Sequence, residues 1–150
     1  MNRILYIVAF FIILLSTKTW ADLSQGIEND VCFKKNNNDY HKAHDCLSVM
    51  KRESETRLEK LIQAINDLIV KNNDVPVFQS DDPNLTIGDV YSKHFLASQK
   101  DWQKYKKNLC LGVASEVGTG TYDYQASIDQ CEINLNKRHM EEINMMGITP

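Results

Sequence analysis

Apolar residues recur three and four positions apart along most of this chain. The clearest stretch runs from about residue 40 to 72, where Leu47, Met50, Leu58, Leu61, Ile62, Ile65, Leu68 and Ile69 form one stripe. Lys51, Arg52, Glu53, Glu55, Arg57, Glu59 and Lys60 lie between them as a mixed-sign outer face, so the segment predicts a long amphipathic helix. A shorter helix is expected over 24 to 35, ending at the turn-forming Asn36-Asn37-Asn38, with Asp39 or Asp45 capping the long one. Asn72-Asn73-Asp74 stops the long helix, Pro76 and Pro83 delay the next until about Thr86, and Gln79 to Asn84 reads as a polar surface loop.

From about 86 to 111 the positions Tyr91, Phe95, Ser98, Trp102, Tyr105 and Leu109 alternate in steps of four and three, predicting a seam whose aromatics supply much of the buried area. Gly112 to Tyr124, with Gly118-Thr119-Gly120-Thr121, is expected to break that helix and form a flexible loop. A last helix follows from 122 or 125 to 144 through Tyr124, Ile128, Cys131, Leu135 and Ile143, and the tail from Met145 is expected to fray. No alternating run suggests a sheet, so the fold class is all-α, a small helical bundle.

The first 21 residues change the picture from fold to address. Arg3, the 12-residue apolar run Ile4 to Leu15 and a polar stretch with Thr19 and Ala21 before Asp22 make a cleavable export signal, too short to span a bilayer. No Cys follows that run at an acylation position, since the first is Cys32, so no stable membrane anchor is expected after cleavage. The remaining single domain, 22–150, loses Arg3 and Lys18 with the signal, which takes the net charge from −3 to −5. Such a chain repels nucleic acid and favours a cationic partner. It is expected in the periplasm or secreted.

All four cysteines lie in the exported part, and an even count there predicts two disulfides. Three connectivities exist. The local one, Cys32 with Cys46 and Cys110 with Cys131, is favoured because each pair flanks a turn between predicted helices. The nested one, Cys32 with Cys131 and Cys46 with Cys110, stays open.

Little in the chain suggests catalysis. His41, His44 and Cys46 are spaced like metal ligands, but a disulfide sulfur is no thiolate, and surface histidines are the simpler reading; no metal and no cofactor is expected. Glu53, Glu55, Glu59, Glu141 and Glu142 fall on polar helix faces rather than in apolar settings that raise a carboxyl pKa. Ser92 and Ser98 lie near His94, yet no Gly-x-Ser-x-Gly elbow exposes a nucleophile. The protein is therefore read as a non-enzyme. Its candidate contact site is the loop carrying Glu116, Gly118, Thr119, Gly120, Thr121, Tyr122, Asp123 and Tyr124, flexible and aromatic between bridged helices, with Asp81 and Asp82 as second choice.

Gln99, Trp102 and Tyr105, then Cys110, a Gly-containing loop, Cys131 and Leu135, resemble the pattern of the LprI-type lysozyme inhibitor N-terminal domain family. Cys46 and its long helix look like that family's first half, so the similarity covers most of 32 to 143. The chain departs from the pattern at Lys106-Lys107, where Arg-Asp is usual, and at Asn136 and Arg138-His139 in the last helix. The resemblance implies a helical envelope protein that binds a lysozyme-like muramidase and inhibits it. The alternative is an envelope interaction module without inhibitory activity.

Overall fold

The computed structural model describes residues 23–37 and 39–149, so the expected export signal lies outside the described residues. Four α-helices follow one another: α1 (Ile27–Lys35), α2 (Tyr40–Asn72), α3 (Ile87–Ala114) and α4 (Tyr122–Asn144), with a 3₁₀ turn (Ser115–Val117) after α3. No strand occurs among the described residues, and no described helix is long and apolar enough to cross a membrane. The chain is an all-α bundle stapled by two disulfides, Cys32–Cys46 and Cys110–Cys131, with Cα separations of 5.7 and 5.6 Å. The local pairing holds.

Each boundary has a local cause. Asn37 takes a left-handed φ of 52° after α1, and the Asp39 side chain then accepts the Lys42 N–H as the cap of α2. At 33 residues α2 spans about 50 Å and forms one wall of the bundle. Its inward face is Ala43, Leu47, Ser54, Leu58, Ile65 and Ile69. The connection 73–86 is pinned by Val77 N–H to Leu85 C=O (2.9 Å) and Ile87 N–H to Val75 C=O (2.8 Å). Thr86 and Asp89 then form a reciprocal capping box at the start of α3. Gly88 sits tight against α2, where a Cβ would come within 2.8 Å of the Val70 carbonyl oxygen.

The last helix, α4, packs against the other three and is the most deeply buried. Ile128, Cys131, Leu135 and Ile143 face inward as its periodicity predicts. Leu58, Ile65, Ile69, Phe95 and Ile143 form the apolar core of the half remote from the disulfides. Met146 and Ile148 pack on that core, so the tail folds back rather than fraying at Met145. Its apolar side chains offset the ordering cost that a polar tail leaves unmet.

Two further expectations are corrected. Gly112 does not break α3, because a lone helical glycine costs only about 1 kcal/mol; the helix runs on to Ala114, and the true connection shrinks to Gly118–Thr121. The α3 seam is also rotated. Phe95 and Trp102 turn inward as expected, but Ser98 is exposed and Tyr105 is 55% exposed, while Gln99 and Lys106 are buried in their stead. Counting apolar positions alone put the seam on the wrong flank, because two of the inward positions are polar.

Candidate functional site

Both disulfides lie at the end of the bundle where α2 begins, α3 ends and α4 begins. The bridged Cys46 and Cys131 sit in the early turns of α2 and α4, and Cys110 in the last turns of α3. Between the staples the loop is short. Gly118 adopts φ 83°, a conformation that suits glycine, and its carbonyl accepts both the Thr121 N–H (3.2 Å) and the Thr121 hydroxyl (2.9 Å). Glu116 stands on the 3₁₀ turn, Thr119 and Gly120 at the exposed tip, and Tyr122, Asp123 and Tyr124 in the first turn of α4. The predicted loop residues are thus brought together, on a stiffer base than expected. Tyr124 turns half inward onto the Cys110–Cys131 core.

Tyr122 is 64% exposed, and its ring meets His41 edge-on at 5.3 Å with His44 at 6.5 Å. His44 in turn faces Phe33 at 6.0 Å, and Phe33 meets Tyr40 edge-on at 5.2 Å. The face therefore carries an aromatic row drawn from α1, the start of α2 and the start of α4. Sequence reading missed that neighbourhood. His44 is half-buried rather than a plain surface residue, and its Nε2 has no hydrogen-bond partner. Cys46 is bonded to Cys32, and no group of three or more potential metal ligands occurs among the described residues.

Asp81 and Asp82 lie in the 73–86 connection at the other end of α2, roughly 50 Å of helix away. The two sequence-predicted contact sites therefore cannot enter one cleft together. Phe78 projects there, 86% exposed.

The motif residues converge only in part. Gln99 Oε1 lies 2.7 Å from His139 Nε2, and Trp102 stacks on the same imidazole at 4.0 Å with planes 8° apart. Leu135 is buried, whereas Tyr105 points away. His139 holds Glu142 Oε2 at 2.8 Å through its other nitrogen. It borders a groove of about 340 Å³ between α3 and α4, with His94, Ser98, Phe95 and Met146. A histidine beside a carboxylate in a groove is the arrangement a hydrolase needs, but both ring nitrogens here are engaged within the protein. Ser98 donates to the Phe95 carbonyl (2.7 Å) and does not meet the imidazole. His139 and Ser98 therefore form no base–nucleophile pair.

Polar chemistry concentrates instead where α2, α3 and α4 meet. Asp129 is almost fully buried and accepts from Ser48 (2.6 Å) and Gln125 (2.8 Å). Lys51 reaches Glu132 at 3.1 Å, and Asn136 links Ser54 (3.2 Å) to Lys106 (3.1 Å). Burial pulls the Lys51 pKa down, but Glu132, Glu55 and Asp129 outweigh it and raise the pKa above the usual lysine value. Asp129 and Glu132 contradict the expectation that carboxylates stay on polar faces: they are buried because α2 and α3 bring them cations and donors. Glu55 and Glu132 line a second groove, of about 440 Å³.

No family model matches the chain, and neither a curated protein nor a solved structure matches it.

Proposed function

We propose that the protein is a non-enzymatic binding protein of the cell envelope, exported by its first 21 residues, that docks through its bridged end. The partner is a lysozyme-like muramidase, which it inhibits. One observation carries the docking surface: exposed Tyr122, next to the Gly118–Thr121 loop, meets exposed His41, on a frame fixed by two disulfides, and exposed Tyr40 continues the row through Phe33. Tyrosine offers a large amphipathic surface at small entropic cost, and a stiff frame keeps that cost low on binding. The partner's identity rests on the resemblance of Gln99, Trp102, Tyr105 and the cysteine pairs to LprI-type inhibitors. Net charge after signal removal, −5, speeds encounter with a basic enzyme.

A clearing assay on bacterial cell walls tests this. Excess purified protein slows lysis by lysozyme, and Tyr122→Ala or Asp123→Ala relieves the inhibition while circular dichroism stays unchanged. An undiminished lytic rate at excess protein sinks the inhibitor reading. Recovery of another envelope protein, and no muramidase, from a pull-down moves the function to an interaction module without inhibitory activity.

A further inference from the structure

A chain of hydrogen bonds runs from α3 to the end of α4, and its direction is fixed at both ends. At one end the Phe95 carbonyl, which can only accept, takes the Ser98 hydroxyl proton at 2.7 Å. Ser98 Oγ is left as an acceptor and receives the Gln99 Nε2–H at 3.2 Å. The other end of that carboxamide, Oε1, faces His139 Nε2 at 2.7 Å and needs a proton from it. Turning the amide over would set two oxygens together at Ser98, whose only proton is already given to Phe95. On the far side of the imidazole, Glu142 Oε2 lies 2.8 Å from Nδ1. The Glu142 side chain is 60% exposed, and a solvated carboxylate can only accept.

His139 therefore stands between two acceptors, while a neutral imidazole has a single N–H to offer. Only the imidazolium satisfies both contacts, and at 7% exposure water reaches little of the ring. The ring also stacks on Trp102 at 4.0 Å with planes 8° apart, a face that attracts a cation. Lys106, 5.3 Å from the Trp102 ring centre, opposes the second proton, but Glu55 of α2 at 3.7 Å and Glu132 of α4 at 4.0 Å offset that ammonium. Arg138 is exposed, where solvent screens it, and Tyr91 and His94 of α3 border the groove of about 340 Å³ beside the ring.

We propose that His139 is held as an imidazolium in the folded protein and works as a pH-sensitive latch: with its second proton it ties α3 to α4 through Gln99, and without that proton the tie is lost. The proton that remains stays at Nδ1 with the carboxylate, the stronger acceptor. Nε2 then turns a lone pair on the Gln99 oxygen, and the two helices loosen beside the groove. The folded chain thus keeps a proton that an unfolded one releases. The stability it contributes is present in full below about pH 6.5, where an unfolded histidine is half charged, and is lost at higher pH. The latch is independent of the bridged-end docking face and of the muramidase reading.

Heteronuclear NMR of the histidine ring nitrogens tests it, with the His139 signals assigned through their contact with the Trp102 indole. At about pH 7, where a free histidine is mostly neutral, both His139 nitrogens are expected to carry protons. Glu142→Gln, at an exposed position, removes the charge that holds the second proton. Its loss is then expected at a pH lower by about one unit, the tenfold worth of a hydrogen bond to a charged group. Urea unfolding reads the consequence: raising the pH from about 6 to 9 lowers the folding constant about 10-fold more in the natural chain than in Glu142→Gln. A single proton on His139 at about pH 7 overturns the proposal. So does a ring titration that Glu142→Gln leaves in place, or unfolding that depends on pH equally in both chains.

Discussion

The two ends of the bundle are held together by different means. At one end two covalent bridges tie α1 to α2 and α3 to α4, and between them the surface is aromatic and open, with Tyr40 and Tyr122 both more than half exposed. At the other end no bridge exists among the described residues. There the apolar core of Leu58, Ile65, Ile69, Phe95 and Ile143, the capping box and the close approach at Gly88 hold the helices. Both ends leave large apolar side chains outside, Phe78 at the unstapled end being 86% exposed, so the contrast lies in what holds each end: covalent links added to packing at one, packing and caps alone at the other.

The largest effect expected from breaking this contrast is at the bridges. Replacing both Cys110 and Cys131 by Ala removes a link across 21 residues of sequence and costs about 3 kcal/mol by the loop-entropy argument. Hydrogen exchange is expected to lose protection most around residues 106–131, with α2 from Leu58 to Ile69 least affected. Equal loss along the whole of α2 would show that the ends do not differ. Gly88→Ala makes the reverse test. Its Cβ meets backbone, which cannot swing aside as a side chain can, and a loss of about 1–3 kcal/mol is expected in urea unfolding, with the disulfides intact. No change in the midpoint refutes the tight contact.

A smaller effect is expected at the same end from Thr86→Ala, which removes the cap hydroxyl that accepts the Asp89 N–H (3.1 Å), at about 1 kcal/mol. The smallest is a pH effect at the bridged end. Burial raises the Glu28 pKa, but the Lys137 and Gln130 side chains lower it more, to below its usual 4.5. A carboxyl depressed on folding contributes stability above its unfolded pKa and loses it as pH falls through the folded value. Acid below about pH 4.5 is therefore expected to loosen α1 from α4. Glu28→Gln flattens that dependence in thermal melts between pH 5 and about 2, and an unchanged slope counts against the pairing.

Much of the fold was legible along the chain. The stripe of α2 and the Asn and Pro stops around it are local signals, and α2 begins and ends where they place it. The pairing of cysteines across single turns followed from the helix order. The site was legible only in part. Tyr122 and the Gly118–Thr121 loop were named from composition, but the partnership of Tyr122 with His41 and His44 was not, because 78 to 81 residues separate them. The rotation of α3 was missed for a related reason: Lys106 looks like a surface lysine until Asn136, 30 residues on, is placed against it.

What the sequence by itself determined is therefore the set of helices and most of their ends, while it favoured the local bridges without excluding the nested ones. These depend on interactions within a turn or between neighbours in the chain, through periodicity, capping and the stops at Asn and Pro. Tertiary structure alone decided which polar residues go inside. Whether Asp129, Gln99 or Lys106 can be buried depends on a partner far away, as Ser48 is 81 residues from Asp129 and His139 is 40 from Gln99. A lone buried charge is too costly to predict from its own residue type, and only the assembled helices show that its compensation exists.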